Sequence, residues 1–162
     1  LKYNLSPHDS LTTLKDEINS VTNYVTIEKL RYLDMFELTT SLDEGTLNHK
    51  MIRFLLQPLV ENSIIHGFRD AERVYRIQIT SYYLDDMLHI KVIDNGCGMD
   101  IGKLQQINSG FKNDKRFNNI GVKNIQERIQ LNYGSRYGLS YHSVPDSGTT
   151  AEITLPIEKD KP

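Results

Sequence analysis

The feature that most constrains this sequence is a pair of alternating segments separated by two aspartates. Apolar and polar side chains alternate in residues 75–81 and again in residues 87–93. Alternation of this kind is typical of β-strands that bury one face, and Asp85-Asp86 between the segments favours a tight hairpin turn. The sequence therefore predicts two antiparallel strands joined by a hairpin.

Periodicity along the rest of the chain predicts three helices and three further strands. Helices are predicted over residues 11–33, 48–68 and 121–132, and strands over 36–42, 138–144 and 149–155. Pro58 marks a kink or a helix start within the second helix, and Gly134 is the expected C-terminal cap of the third. This order of elements predicts a two-layer α/β sandwich, with the helices on one face of the sheet.

The first predicted helix allows two interpretations. Its apolar positions step by three and four residues: Leu11, Leu14, Ile18, Val21 and Val25. Asp9 or Ser10 is the expected N-cap. The stripe fits a helix packed on its own domain, and it also fits one arm of a dimeric helical bundle. We favour the bundle arm, because the stripe is narrow and lies at the extreme N-terminus.

Charge and cysteine content exclude several classes of protein. The 162 residues include 19 basic and 21 acidic side chains. The sequence therefore lacks the excess of basic residues that would indicate nucleic acid or a membrane surface as a partner. Cys97 is the only cysteine, which excludes an intramolecular disulfide and favours a reducing, cytoplasmic setting. No apolar run approaches the ~20 residues of a spanning helix. The opening Leu1-Lys2-Tyr3-Asn4 is typical of the interior of a longer chain.

Two polar clusters are candidates for chemistry. In Glu61-Asn62-Ser63-Ile64-Ile65-His66-Gly67, Asn62 and His66 share a helix face, and a carboxamide oxygen suits Mg²⁺. Asp94-Asn95-Gly96-Cys97-Gly98-Met99 directly follows a predicted strand. Its carboxylate can accept a hydrogen bond from an exocyclic amine, and its glycines allow close approach to a flat ring. The alternatives are a capped helix end for the first cluster and an ordinary turn for the second.

Two weaker signals follow along the chain. Amide side chains and a glycine in residues 118–124 precede a helix, whose N-terminal N–H groups could hold phosphate. Ser147-Gly148-Thr149-Thr150 opens the last predicted strand, although turn chemistry alone would explain it.

The order and spacing of these clusters resemble the GHKL superfamily, and within it the LytS-like sensor histidine kinases. Residues 55–62, completed by His66-Gly67, resemble the N box of those kinases. Residues 93–96 resemble their G1 box, and residues 121–128 their G2 region with the helix after it. Residues 24–32 resemble the end of the helix that leads into their catalytic domain.

This resemblance implies a Bergerat-type ATP-binding fold with a mixed, mostly antiparallel sheet, preceded by one long N-terminal helix. Residues 1–34 would be the C-terminal part of a dimerisation region, residues 35–158 the catalytic and ATP-binding domain, and residues 159–162 a polar tail. ATP and Mg²⁺ are the implied cofactors.

The resemblance also assigns roles to individual residues. Asp94 would bind the adenine amine, joined through water by Thr149, and Asn62 would ligate Mg²⁺. Other implied nucleotide-binding residues are His66, Gly96, Gly98, Met99 and Gly121, together with Lys112, Lys115 and Arg116 in a lid over residues 109–119.

Three positions depart from the pattern of the superfamily. Ile65 stands where many relatives carry a basic residue, and Asn119 where many have glycine. Pro58 occupies the position of the water-activating carboxylate in the ATPases. Glu61 is the remaining candidate base, but it points about 100° away from Asn62 on a helix. We therefore expect transfer of phosphate to an acceptor rather than efficient hydrolysis.

The implied function is the catalytic domain of a two-component sensor histidine kinase, homodimeric in its full-length form and cytoplasmic in an integral membrane sensor. It would transfer the ATP γ-phosphoryl group to a histidine on an upstream helix and thence to a response regulator. His8 follows a proline in a loop-like context, and we do not expect it to be the acceptor. The alternatives are a GHKL ATPase, a serine kinase acting on an anti-sigma antagonist, and a non-catalytic nucleotide-sensing module.

Overall fold

The computed structural model describes residues 9–68, 73–109 and 120–157, with no side-chain description for residues 120–123. The helices are α1 (Leu14–Arg31), α2 (Gln57–Asn62), α3 (Ile101–Ser109) and α4 (Ile120–Tyr133). The strands are β1 (Leu11–Thr13), β2 (Phe36–Leu42), β3 (Lys50–Ile52), β4 (Tyr75–Leu84), β5 (Met87–Asp94), β6 (Gly138–Val144) and β7 (Gly148–Pro156). A π-helical turn, Ser63–Gly67, continues α2.

A five-stranded sheet in the order β2-β4-β5-β7-β6 forms one layer of the fold. Strand β2 runs parallel to β4, and the other neighbours are antiparallel. Asp85 and Asp86 in the β4–β5 hairpin have φ angles of 52° and 59°, the left-handed values that a tight hairpin turn requires. The predicted mixed, mostly antiparallel sheet and its central hairpin are confirmed.

One face of this sheet is buried beneath the helices. Burial alternates along residues 75–82 of β4 and along β5, so every second side chain in these segments enters the core. Residues of α1, α2 and α4 pack into the same cluster, among them Val21, Leu59 and Ile129. Strands that bury one face need a layer of helices on that face, and the predicted two-layer arrangement follows.

The apolar stripe of α1 lies in this common core. Leu14, Val21 and Val25 are at most 3% exposed and belong to the cluster that includes the sheet. The stripe therefore packs on its own domain, the first of the two interpretations, and is not itself the contact surface of a bundle arm. The domain boundary at residue 34 stays a prediction. The predicted N-cap was wrong: Thr13 takes that place and accepts a hydrogen bond from the Asp16 N–H.

The second predicted helix was wrong in its first half. Residues 50–52 form β3, which pairs antiparallel with β1, and α2 begins only at Gln57. Met51, Ile52, Leu55 and Leu56 are fully buried, and a short run of buried apolar residues does not distinguish strand from helix by its period. Pro58 lies in the first turn of α2, so it marks a helix start rather than a kink.

The C-terminal half matches the expectations, with one addition. Helix α4 and strands β6 and β7 lie within a residue of their predicted bounds. Gly134 ends α4 with φ 95° and donates its N–H to the Gln130 carbonyl at 2.9 Å. Helix α3 was not predicted. No helix in the described parts of the chain is both long and apolar enough to cross a bilayer.

Candidate functional site

A cavity of about 300 Å³ lies between α2, the loop after β5, α3 and the buried face of the sheet. Six of the residues singled out in the sequence line it: Asn62, His66, Asp94, Gly98, Met99 and Thr149. They come from three separate parts of the chain, so the fold brings the predicted motifs together at one place.

Asp94, the last residue of β5, is the charged centre of the cavity. Its side chain is buried, yet it accepts three hydrogen bonds: at Oδ1 from the N–H groups of Gly96 (2.9 Å) and Thr149 (3.2 Å), and at Oδ2 from the Ser63 hydroxyl (2.8 Å). Burial raises the pKa of Asp94 above its ordinary value, and the same three hydrogen bonds oppose that rise. An oriented carboxylate on a mostly apolar cavity is suited to accept from a ligand amine.

The glycines after Asp94 are required by contacts within the protein. A Cβ on Gly96 would lie 2.6 Å from the Gly67 carbonyl oxygen, and one on Gly98 would overlap the Val144 carbonyl. Gly98 also has φ +64°, which side chains disfavour. Gly96 is not part of the cavity lining. The glycines thus seat the loop against the π-helical turn after α2 and against the β6–β7 turn. Gly98 also lines the cavity, and the close approach of these glycines to a flat ligand stays a prediction.

The end of α2 presents Asn62 and His66 to the cavity. Glu61 lies outside the lining, and its Oε1 accepts a hydrogen bond from Gln57 Nε2 at 2.9 Å. The side chain of Asn62 therefore offers a hard oxygen donor at the cavity wall, which fits a Mg²⁺ ion held mainly by phosphates and water. Among the described residues, no group of three or more His, Cys, Asp or Glu side chains could hold a metal by itself.

Several residues of the candidate site were not assigned a role in the sequence analysis. Ser63, which bonds Asp94, follows Asn62 directly, so its place in the first cluster was a usable signal. Lys103 of α3 and Tyr141 of β6 also line the cavity, but neither lies in a recognisable motif. Gly121 lies in the first turn of α4. Lys112, Lys115 and Arg116 of the predicted lid fall outside the described residues, as does His8.

Comparison with known proteins places this geometry in a family. Residues 48–159 match the family described as histidine kinase-, DNA gyrase B-, and HSP90-like ATPase. The chain is 31% identical over 160 residues to the sensor protein kinase HptS of Staphylococcus aureus strain USA300. That match covers 98% of the chain but 30% of HptS, so the chain spans less than a third of this relative.

Solved structures show the same fold at low sequence identity. The catalytic domain of histidine kinase ThkA has a TM-score of 0.68 and 15% identity, covering 92% of this chain and 96% of that domain. ThkA in complex with the response regulator TrrA has a TM-score of 0.66 and 16% identity, covering 91% of this chain and 41% of that one. A mycobacterial sensor histidine kinase, MprB, has a TM-score of 0.65 and 13% identity, covering 91% and 97% of the two chains.

Proposed function

This chain belongs to the histidine kinase-, DNA gyrase B-, and HSP90-like ATPase family, and from that premise we propose that it is the ATP-binding catalytic domain of a sensor histidine kinase. The observation that carries the proposal is the buried Asp94 carboxylate, held by three donors on the wall of a cavity large enough for a base. The Asp94 carboxylate accepts a hydrogen bond from the adenine amine, and Thr149 assists Asp94.

Mg²⁺ would be held by Asn62 and by the phosphates of the nucleotide. The metal would neutralise phosphate charge during transfer, while His66 and Met99 line the site. Lys103 is a further cation at the cavity wall, and Lys112, Lys115, Arg116 and Gly121 stay as predicted phosphate contacts. Glu61, turned toward Gln57, is the weakest candidate for a catalytic base.

The phosphoryl acceptor would be a histidine on a helix upstream of these residues, and the final acceptor a response regulator. The similarity to HptS, a sensor protein kinase, supports the first step. The likeness to the fold of ThkA, which was solved with the regulator TrrA, supports the second. The domain's part in such a transfer is positioning and electrostatic stabilisation.

The finer assignment is to the LytS-like kinases, on the strength of the motif run over residues 55–62. The full-length protein would be a homodimer whose cytoplasmic kinase part follows a membrane sensor. Residues 1–34 would belong to its dimerisation region. Ile27, Leu30 and Leu33 are more than half exposed near the end of α1, which supports a contact with a second helix there.

Isothermal titration calorimetry of this chain tests the base assignment. We expect ATP to bind and GTP to bind poorly, because guanine carries a carbonyl where adenine carries the amine, and a carbonyl cannot donate to Asp94. Equal affinity for the two nucleotides would contradict the assignment.

The metal assignment is tested with Asn62→Ala. Its loss of ATP affinity relative to the parent should be seen in the presence of Mg²⁺ and should nearly vanish in EDTA. A loss of the same size in both conditions would mean that Asn62 is structural.

The reaction type is tested by turnover. With Pro58 at the position of the hydrolytic carboxylate, general-base assistance of about 10² to 10⁴ is missing, so hydrolysis by the chain should be very slow. A separate polypeptide carrying the upstream helix should restore incorporation of acid-labile phosphate. Release of inorganic phosphate at about 1 s⁻¹ or faster would replace the kinase with an ATPase.

A further inference from the structure

Tyr141 carries a buried hydroxyl that has no hydrogen-bonding partner among the described residues. The side chain lines the cavity, and the residue is 7% exposed. Buried polar groups in folded proteins are nearly always paired. An unpaired hydroxyl on the wall of a cavity therefore indicates a group that is satisfied only when the cavity is filled.

The sheet register places Tyr141 beside the nucleotide-facing groups. Across the strands, Tyr141 of β6 is opposite Ala151 of β7, and Ala151 is opposite Val92 of β5. All three residues line the cavity. The next inward-facing row along the same strands contains Asp94, opposite Thr149. The small Ala151 side chain leaves space over the sheet in which the tyrosine ring and a flat ligand can both lie.

The hydroxyl carries its proton at neutral pH, because the pKa of a phenol is about 10 even without burial. A neutral phenol beside a carboxylate offers a donor next to an acceptor. The two side chains thus provide complementary partners for a ligand edge that carries a donor beside an acceptor.

Resting on the proposed function, we propose that the Tyr141 hydroxyl donates a hydrogen bond to a ring nitrogen of bound adenine that flanks the amine accepted by Asp94. The adenine edge has an amine donor with a ring nitrogen acceptor on either side, N1 and N7. Guanine presents a carbonyl in place of the amine and a hydrogen on N1. Guanine keeps N7 as an acceptor, so a bond to N1 also discriminates against guanine, whereas a bond to N7 adds affinity alone. In either case the Tyr141 hydroxyl binds the adenine edge together with Asp94.

The variant Tyr141→Phe tests this proposal by calorimetry on the whole chain. Loss of one neutral hydrogen bond should weaken ATP binding about three- to tenfold. The melting temperature without nucleotide should not fall, because phenylalanine fills the same space and leaves no unpaired hydroxyl. Tyr137→Phe is the matched control, since Tyr137 packs against the core without lining the cavity, and it should leave affinity unchanged.

Two analogues identify the atom that is bound. In 1-deaza-ATP and 7-deaza-ATP, a carbon replaces one of the two flanking nitrogens. The parent and Tyr141→Phe should bind with equal affinity the analogue that lacks the nitrogen bound by the hydroxyl. With the other analogue, the parent should still bind more tightly than Tyr141→Phe. If the parent binds ATP and Tyr141→Phe binds it with the same affinity, the inference about Tyr141 is wrong while the proposed function stands. The same holds if Tyr141→Phe loses affinity equally for both analogues. A parent that does not bind ATP would overturn the proposed function itself.

Discussion

Two buried carboxylates, Glu17 and Asp94, are each held by three hydrogen bonds, but they have different surroundings. Glu17 of α1 is 5% exposed and accepts from the successive N–H groups of Phe54, Leu55 and Leu56 at 2.7, 3.1 and 3.3 Å. Asp94 is 6% exposed, and its donors come from three separate segments. Asp94 lines the cavity and Glu17 does not.

The difference separates a carboxylate that completes the fold from one that serves a ligand. Glu17 satisfies consecutive backbone donors just before α2, which is the role of a helix-capping side chain. Asp94 gathers the end of α2, its own loop and β7 around a cavity, and the cavity leaves it accessible to a ligand donor. Helix α2 links the two, since Glu17 holds its approach and Ser63 follows its last residue.

The largest effect is expected from Glu17→Ala, which should lower the free energy of unfolding by about 3 kcal/mol or more. The change leaves buried N–H groups unpaired, and hydrogen bonds to charged groups are worth about 1.5–3 kcal/mol each. Denaturant unfolding measures the loss. The control is Asp16→Ala on the same helix, where the exposed side chain should be worth less than about 1 kcal/mol. Equal losses for the two variants would contradict a structural role for Glu17.

In contrast to Glu17→Ala, Asp94→Asn should weaken ATP binding without lowering stability. We expect ATP affinity to fall at least about tenfold, because an amide can present a donor to the adenine amine where the carboxylate accepted, and such bonds are worth about 1.5–3 kcal/mol. The unfolding free energy without nucleotide should not fall, since a buried charge is removed. Calorimetry and thermal melts check both. Asp146→Asn, in the β6–β7 turn at φ 59°, should change neither quantity.

The pH dependence of stability should distinguish Asp94 by its sign. Burial raises the pKa of Asp94 above 3.8, so the folded chain holds this proton more tightly than the unfolded chain. Stability contributed by Asp94 is therefore lost as pH rises from 3.8 through the folded pKa, at about 1.4 kcal/mol for each unit of difference. On acidification from pH 7, the parent should gain stability relative to Asp94→Asn. A constant difference across this range would contradict the raised pKa.

The smallest effect is expected at Phe54, in the segment that Glu17 holds. Phe54 has φ 60° and is 60% exposed, and this backbone region costs a bulky side chain roughly 1–2 kcal/mol. Phe54→Gly keeps the backbone N–H that donates to Glu17, and it relieves the strain at this φ. The free energy of unfolding should therefore rise, by less than about 1 kcal/mol. Ile65→Gly is the control at equal exposure, 60%, and should destabilise the helical turn by about 1 kcal/mol. Equal losses would mean that Phe54 is not strained.

Local features were predictable because their causes lie within a few residues. The β4–β5 hairpin follows from alternation and from two aspartates at positive φ, and Pro58 and Gly134 mark helix ends by their own backbone preferences. The motif residues around Asn62 and Asp94 were identified because their order along the chain resembles a family. That resemblance indicated which residues meet, without indicating which atoms pair.

What only the tertiary structure decided depends on partners far apart in the chain. Ser63 is 31 residues from Asp94, Thr149 is 55 residues from it, and Glu17 is 38 residues from Leu55. The sequence by itself determined the β4–β5 hairpin, the helix boundaries at Pro58 and Gly134 and the set of motifs, since period and backbone dihedrals are local properties. The packed structure decided three further features: the strand at residues 50–52, the packing of α1 on its own domain and the unpaired tyrosine hydroxyl. Each depends on which distant groups remain to be buried or hydrogen-bonded, and only the packed structure specifies those groups.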